Sequence, residues 1–316
     1  MRSTIKITIA GVTMAPLMAA PALSASASAE AATTPAPAVP AAAAKGPSVA
    51  ARSAYLWDSG AKKTRWTKSP DTRRPVASIT KVMTAMVVLR GGHLDRKITV
   101  KKKHVDYAKS HGASSAKLRA GDKLTVRQLL NAMMLPSGCD AAYVLADSYG
   151  PGWRGFVAKM NKTAKQLKMT RTHYANFDGL PWPSQTSTLS TARDQIKLGH
   201  YAMRNKDFRA VVARRSYSLG SGGGHHAYKW TNTNLMIGSY RGTIGIKTGF
   251  TDGAGYSLMF AAHRGKRILI GVVLNSSTRN PNARFTDAAR LLNWGFGVRT
   301  AEVYRVPPVP AGANID

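Results

Sequence analysis

Acyl transfer needs a nucleophile, a base within hydrogen-bond reach of it, and donors for the oxyanion that develops. Ser78 and Lys81 meet the first two needs, since residues three apart on a helix share a face one turn apart. A serine opening a helix also has free backbone N–H groups beside it, which suits an oxyanion hole. Lys81 falls where an apolar run begins, and there desolvation and a second cation both favour the neutral amine. A neutral amine can take the serine proton. Spacing alone does not select this pair, because Ser-x-x-Lys also starts at Ser3, Ser59 and Ser114. The first of these lies in an N-terminal apolar segment, the second in a turn and the third in a Gly/Ala/Ser loop. Only Ser78 opens a rigid, buried support.

That support is the run from Ser78 to Leu89, apolar nearly all round and ended by Gly91-Gly92. A helix of this kind belongs in the middle of a protein. Further helices are expected over 125–135, 140–147, 154–167, 191–203 and 281–295. Residues 53–57 and 63–67 flank a turn at Asp58-Ser59-Gly60 and read as a hairpin. In the last third, 243–247, 255–262 and 267–275 are apolar and β-rich, with turns at Asp252-Gly253 and Arg264-Gly265, which gives an antiparallel meander. Hairpin and meander together make one sheet from both chain ends. The expected class is α/β: an antiparallel five-stranded sheet flanked by helices, with an inserted all-helical lobe and a ligand groove between the two.

Ser-x-x-Lys followed by Ser-x-Asn and then Lys-Thr-Gly marks β-lactamases and penicillin-binding proteins. Downstream of Ser78 come Ser137-Gly138-Cys139 and a single Lys247-Thr248-Gly249, in that order. Longer stretches, Ala77–Ala85, Leu135–Ala142, Asp178-Gly179-Leu180, Ser190–Asp194 and Gly245–Thr251, resemble the low-molecular-weight D-alanyl-D-alanine carboxypeptidases of the S11 peptidase family. The resemblance spans about 52–305 and implies the β-lactamase/DD-peptidase fold. It implies that Ser78 forms the acyl-enzyme and Lys81 takes its proton. Ser137 would relay a proton to the leaving amine with support from Lys247. Lys247 and Thr248 would hold the terminal carboxylate of a D-Ala-D-Ala stem peptide, and the N–H groups of Ser78 and Phe250 would form the oxyanion hole. β-Lactams would be covalent inhibitors. No cofactor or metal is implied, and no obligate protein partner is evident. Cys139 stands where the family has Asn, and a thiol is a poor substitute for an amide offering two donors and an acceptor. One such bond is worth about 1–3 kcal/mol, or roughly ten- to a hundredfold in rate, so weak hydrolysis or a shift toward transpeptidation is in view. Carboxypeptidase and transpeptidase differ only in whether water or an amine captures the acyl-enzyme, and sequence does not separate them.

The rivals lack their own residues. A class A β-lactamase deacylates through a glutamate, yet the only glutamates are Glu30 and Glu302, neither where that base belongs. Metallopeptidases are disfavoured because no His-Glu-x-x-His occurs and His225-His226 sit adjacent in a Gly-rich loop. No Gly-x-Ser-x-Gly elbow occurs. Cys139 as nucleophile lacks an activating environment. A non-catalytic wall-binding protein would explain charge and export but not the ordered motifs.

Charge and ends fix the setting. Arg2 and Lys6 precede an apolar run from Ile7 to Leu23, broken by Pro16 and Pro21, and Ala27-Ser28-Ala29 has the small-x-small form of a cleavage site. Residues 1–29 therefore read as a signal peptide rather than a spanning helix, which needs about 20 strongly apolar residues. Residues 30–50, nearly all Ala, Pro and Thr, bury too little apolar surface to order and read as an extended tether. The catalytic domain is placed at 51–306 and a flexible tail at 307–316. With one cysteine no internal disulfide forms. Loss of Arg2 and Lys6 with the signal lowers the net charge from +31 to +29. Nucleic acid is not the expected partner of an exported chain with no zinc-finger spacing or RNP motif. Anionic polymers of the cell envelope are, through salt-sensitive attraction.

Overall fold

In this computed structural model, residues 46–298, 304–311 and 313–314 are described. The expected signal segment 1–29 lies outside them. The elements run β1 (Ser53–Asp58), β2 (Lys63–Lys68), β3 (Arg74–Pro75), a 3-10 turn (Ala77–Ile79), α1 (Thr80–Gly91), β4 (Lys97–Thr99), α2 (Lys102–Ser110) and β5 (Lys123–Thr125). They continue through α3 (Val126–Met134), α4 (Cys139–Tyr149), α5 (Gly152–Gln166), β6 (Leu189–Ser190), α6 (Ala192–Ala202) and α7 (Lys206–Val212). The last are β7 (Ser216–Leu219), β8 (Tyr228–Thr231), β9 (Thr243–Gly249), β10 (Ser257–Arg264), β11 (Arg267–Leu274) and α8 (Ala283–Phe296).

The sheet is five-stranded in the order β2-β1-β11-β10-β9, and each neighbouring pair runs antiparallel. Because strand side chains alternate, one face collects Leu258, Phe260 and Leu269 against Phe285, Leu291 and Leu292 of α8. The other face presents Met259, Ala261, Ile270 and Val272 to the larger core, which holds α1 and the helical lobe. Glycines allow the closest of these approaches. A Cβ at Gly271 would lie 2.1 Å from the Phe260 ring. The sheet is thus the expected one, built from both chain ends.

Two local readings shift, and one helix has no sequence signal that announces it. The helix expected from Ser78 begins as a 3-10 turn and becomes α-helical only at Thr80; its residues from Thr80 to Val88 are all buried. Strand β10 starts at Ser257 rather than Gly255, because Gly255 has φ +59° and the Tyr256 amide turns to the Ser277 carbonyl. The Lys101-Lys102-Lys103 run opens helix α2, whose apolar side chains are too few to announce it.

Residues 46–50, assigned to the tether by composition, pack on the domain. Val49 is buried, and the amides of Ala50 and Ala51 donate to the buried Asp287 carboxylate at 2.9 and 2.8 Å. The segment placed as a tail also makes contacts. Asn314 Nδ2 donates to the Pro136 carbonyl at 2.5 Å, and Pro307, Pro308 and Pro310 line a groove with Lys229 and Thr231.

Candidate active site

Ser78 sits in the 3-10 turn, 7% exposed, and Ala77 before it has φ +46°. Lys81, one turn on, is completely buried; its Nζ donates to Ser78 Oγ at 2.8 Å and to the Asp178 main-chain carbonyl at 3.0 Å. The base and nucleophile expected from spacing are therefore in direct contact. Gly249 ends β9 against this turn. A Cβ there would lie 3.1 Å from the Ser78 nitrogen and 3.2 Å from that of Ile79, so a side chain would push strand and turn apart.

Ser137 precedes α4 in a left-handed conformation, φ +63°, which costs a non-glycine residue about 1–3 kcal/mol and is often kept where it serves function. Its Oγ is buried and has no hydrogen-bond partner among the described residues. An unpaired buried hydroxyl is costly unless a substrate completes it. The loop is held by Asp140 in the first turn of α4. Its carboxylate accepts from the amides of Ala116, Leu118 and Ala141 and from the Ser115 hydroxyl, at 2.7–3.1 Å.

Cys139 is the first residue of α4, 1% exposed, with its amide bonded to the Ser114 carbonyl at 2.8 Å. Its sulfur lies 3.9 Å from the Ser137 carbonyl and within hydrogen-bonding reach of Lys81. Burial pushes the thiol well above its ordinary pKa, with the Asp178 and Asp140 charges adding to the rise and Lys81 opposing it. A thiol held neutral is a poor nucleophile.

Lys247 and Thr248 are both buried on β9. Lys247 Nζ donates to the Thr248 carbonyl at 3.2 Å and to its hydroxyl at 3.3 Å. That hydroxyl shares a 2.6 Å bond with Thr233, whose amide donates to the Leu135 carbonyl at 3.0 Å. Thr233 thus ties β9 to the loop carrying Ser137. Phe250 stacks its ring on Tyr256 at 4.2 Å between centroids, leaving its main chain to follow Gly249 past Ser78.

The three motifs lie on adjoining elements: β9 passes beside the Ser78 turn at Gly249 and is tied through Thr248 and Thr233 to Leu135, and Cys139 of α4 reaches Lys81. Several participants have no motif of their own. Thr233 follows β8 in an unremarkable Thr-Asn-Thr-Asn run. Tyr107 lies on the unrecognised α2. Asp178 stands in a resembling stretch, but only the fold shows its carbonyl on Lys81.

Solved structures share this fold. The Streptomyces K15 DD-transpeptidase matches with a TM-score of 0.76 at 43% identity, covering 80% of this chain and 99% of that one. A D-alanyl-D-alanine carboxypeptidase from Mycobacterium tuberculosis H37Rv matches with a TM-score of 0.71 at 30% identity, over 85% and 97% of the two chains. Fold and site define a serine DD-peptidase. Among curated relatives, the D-alanyl-D-alanine carboxypeptidase of Streptomyces sp. strain K15 is 43% identical over 264 residues, 80% of this chain and 89% of the relative. DacC, the D-alanyl-D-alanine carboxypeptidase of Escherichia coli K12, is 32% identical over 259 residues, 79% of this chain and 62% of the relative. A family profile described as D-alanyl-D-alanine carboxypeptidase, peptidase S11, matches residues 40–278. The chain belongs to the S11 family of D-alanyl-D-alanine carboxypeptidases.

Proposed function

We propose that the chain is a serine-type D-Ala-D-Ala carboxypeptidase acting on peptidoglycan stem peptides through an acyl-enzyme on Ser78. The 2.8 Å contact between Lys81 Nζ and Ser78 Oγ carries the reading, because it puts a desolvated amine where the serine proton must go. Lys81 takes that proton as Oγ attacks the penultimate D-Ala carbonyl. The N–H groups of Ser78 and Phe250 hold the oxyanion, which the approach of Gly249 to Ser78 supports. Collapse breaks the amide C–N bond, and the Ser137 hydroxyl relays the proton held by Lys81 to the departing D-Ala nitrogen, which returns Lys81 to the neutral amine. Lys247 and Thr248, braced by Thr233, hold the terminal carboxylate. Water then attacks the ester and gives up a proton to Lys81, and Lys81 delivers it to Ser78 Oγ as the ester C–O bond breaks, which restores the free serine and the neutral amine.

Capture by an amine is the second reading. It is favoured by Cys139 in place of the amide-bearing residue and by a relative described as a DD-transpeptidase. Mass spectrometry of products from a D-Ala-D-Ala stem peptide, with and without an acceptor amine, separates the two; neither shortened nor joined peptide would reject both. Benzylpenicillin should label Ser78 alone and persist, because no glutamate is among the described residues to activate water. Rapid turnover to penicilloate overturns this.

Export with signal cleavage near Glu30 is part of the same proposal, supported by the N-terminal pattern; among the described residues no helix is long and apolar enough to cross a membrane. N-terminal sequencing that returns Met1 from secreted material refutes cleavage. Retention on anionic envelope polymers should fall steeply with added salt, and salt-insensitive retention excludes the electrostatic account.

A further inference from the structure

Lys81 is held by two bonds, one to the nucleophile and one to the main chain of a distant segment. Its main-chain anchor, the Asp178 carbonyl, belongs to the segment joining α5 to α6, and that segment is locked from several directions. Gly179 passes so near α1 that a Cβ would lie 1.9 Å from the Ala77 carbonyl oxygen. Thr84 donates to the Phe177 carbonyl at 2.5 Å, and the Gly179 amide donates to Asn176 Oδ1 at 2.7 Å. The Asp178 carboxylate itself is fully buried. Its Oδ1 accepts the Leu180 amide at 3.1 Å, and its Oδ2 accepts the Tyr107 hydroxyl at 2.8 Å. Tyr107 is bonded in turn, since Trp182 Nε1 donates to the Tyr107 oxygen at 2.7 Å.

We infer that Tyr107 and Asp178 are positioning residues for the acylation step, with the Tyr107 hydroxyl both fixing the Asp178 carbonyl on Lys81 and offsetting the charge that the Asp178 carboxylate exerts on it. The inference rests on Lys81 as the base. A buried carboxylate near an amine stabilises the ammonium form, which cannot take the serine proton. A hydroxyl donated to that carboxylate spreads its charge, and a donor bonded to the hydroxyl oxygen strengthens the effect. The other groups that bear on this pocket are Ser78 on the turn before α1, Cys139 and Asp140 on α4, and Tyr143 and His111, whose rings lie 5.1 and 4.5 Å from that of Tyr107 between centroids. Tyr107 supplies a hydroxyl donor to Asp178 Oδ2, which makes it the residue to substitute.

The two residues act on Lys81 with opposite sign, which a purely structural role would not do. The test is the pH profile of β-lactam acylation, followed by stopped-flow on the full chain. Asp178→Asn removes the negative charge and should move the acid limb toward lower pH by about 1 unit. Tyr107→Phe leaves the carboxylate with one donor fewer and should move it toward higher pH, with acylation at neutral pH falling about tenfold. Trp182→Phe, a milder change that spares the Tyr107–Asp178 bond, should move the limb in the same direction as Tyr107→Phe and less far. Limbs displaced in opposite directions support the assignment. Limbs that stay in place, or move together, overturn it, as does a rate loss that merely follows melting temperature. A wild-type chain with no acid limb sinks Lys81 as base, whereas a normal limb unmoved by the substitutions sinks this inference alone.

Discussion

Cys139→Asn tests how the replacement at the third motif position limits the reaction. The site is fully enclosed, 1% exposed, and Cys and Asn are of similar size, so the new side chain need not displace neighbours. What changes is the number of polar atoms to satisfy. Lys81 already reaches the cysteine sulfur and can donate to the new carbonyl oxygen, while the Ser137 carbonyl, 3.9 Å from that sulfur, can accept one amide hydrogen. One hydrogen remains to face the groove and a substrate amide. If that geometry holds, acylation by penicillin and cleavage of the stem peptide should both rise, by up to about a hundredfold for one such bond. Melting should stay within about a degree or two, because two of the new polar groups are paired and water in the groove takes the remaining hydrogen. In the opposing case the amide finds no partners. Each unpaired group then costs about 1–3 kcal/mol, which lowers the melting temperature by roughly 2–12 °C in a domain of this size. Acylation by stopped-flow and melting by calorimetry, on the same preparations, decide between them. Unchanged or slower acylation together with a fall in melting temperature refutes the reasoning.

Gly249→Ala should separate β9 from the Ser78 turn and slow acylation by about tenfold or more, with only a small loss of stability; an unaltered acylation rate would show that the close approach is not needed. Asp140→Ala removes a carboxylate that accepts four bonds and should destabilise the domain by about 3 kcal/mol or more, read as a denaturation midpoint; a shift under 1 kcal/mol would contradict it. Burial opposes ionisation of Asp58, but the Ala61 amide and the Arg65 and Arg267 guanidiniums outweigh it and hold the carboxyl at about 2, below its ordinary 3.8. A depressed folded pKa gives stability present above the ordinary value and lost as pH falls from about 4 through about 2. Arg65→Ala should therefore shift the acid-unfolding midpoint upward, and an unchanged midpoint would mean that another carboxylate governs acid unfolding.

Much of this protein is legible in its sequence because the relevant signals are local. The all-round apolar run after Ser78 demands a central helix, the nearly continuous apolar runs of β10 and β11 demand a sheet with two covered faces, and the ordered motifs name the chemistry. Sequence by itself also settles that no internal disulfide forms and that the described domain holds no glutamate. Other features depend on residues brought together from far apart. Helix α2 is rich in lysine and poor in apolar residues, yet it delivers Tyr107 to Asp178, 71 positions away. Thr233 has no motif, and its role exists only because β9 passes beside it. The 3-10 turn before α1 is approached closely by Gly249 and Gly179, neither of which has room for a side chain against it, and these contacts come from β9 and the Asp178 loop, far away in sequence. Cys139 shows the division most clearly. Its sequence position is that of a substrate-binding residue, but its burial, raised thiol pKa and contact with Lys81 come from α4 docking against α1, since desolvation and charge proximity are properties of packing and not of spacing.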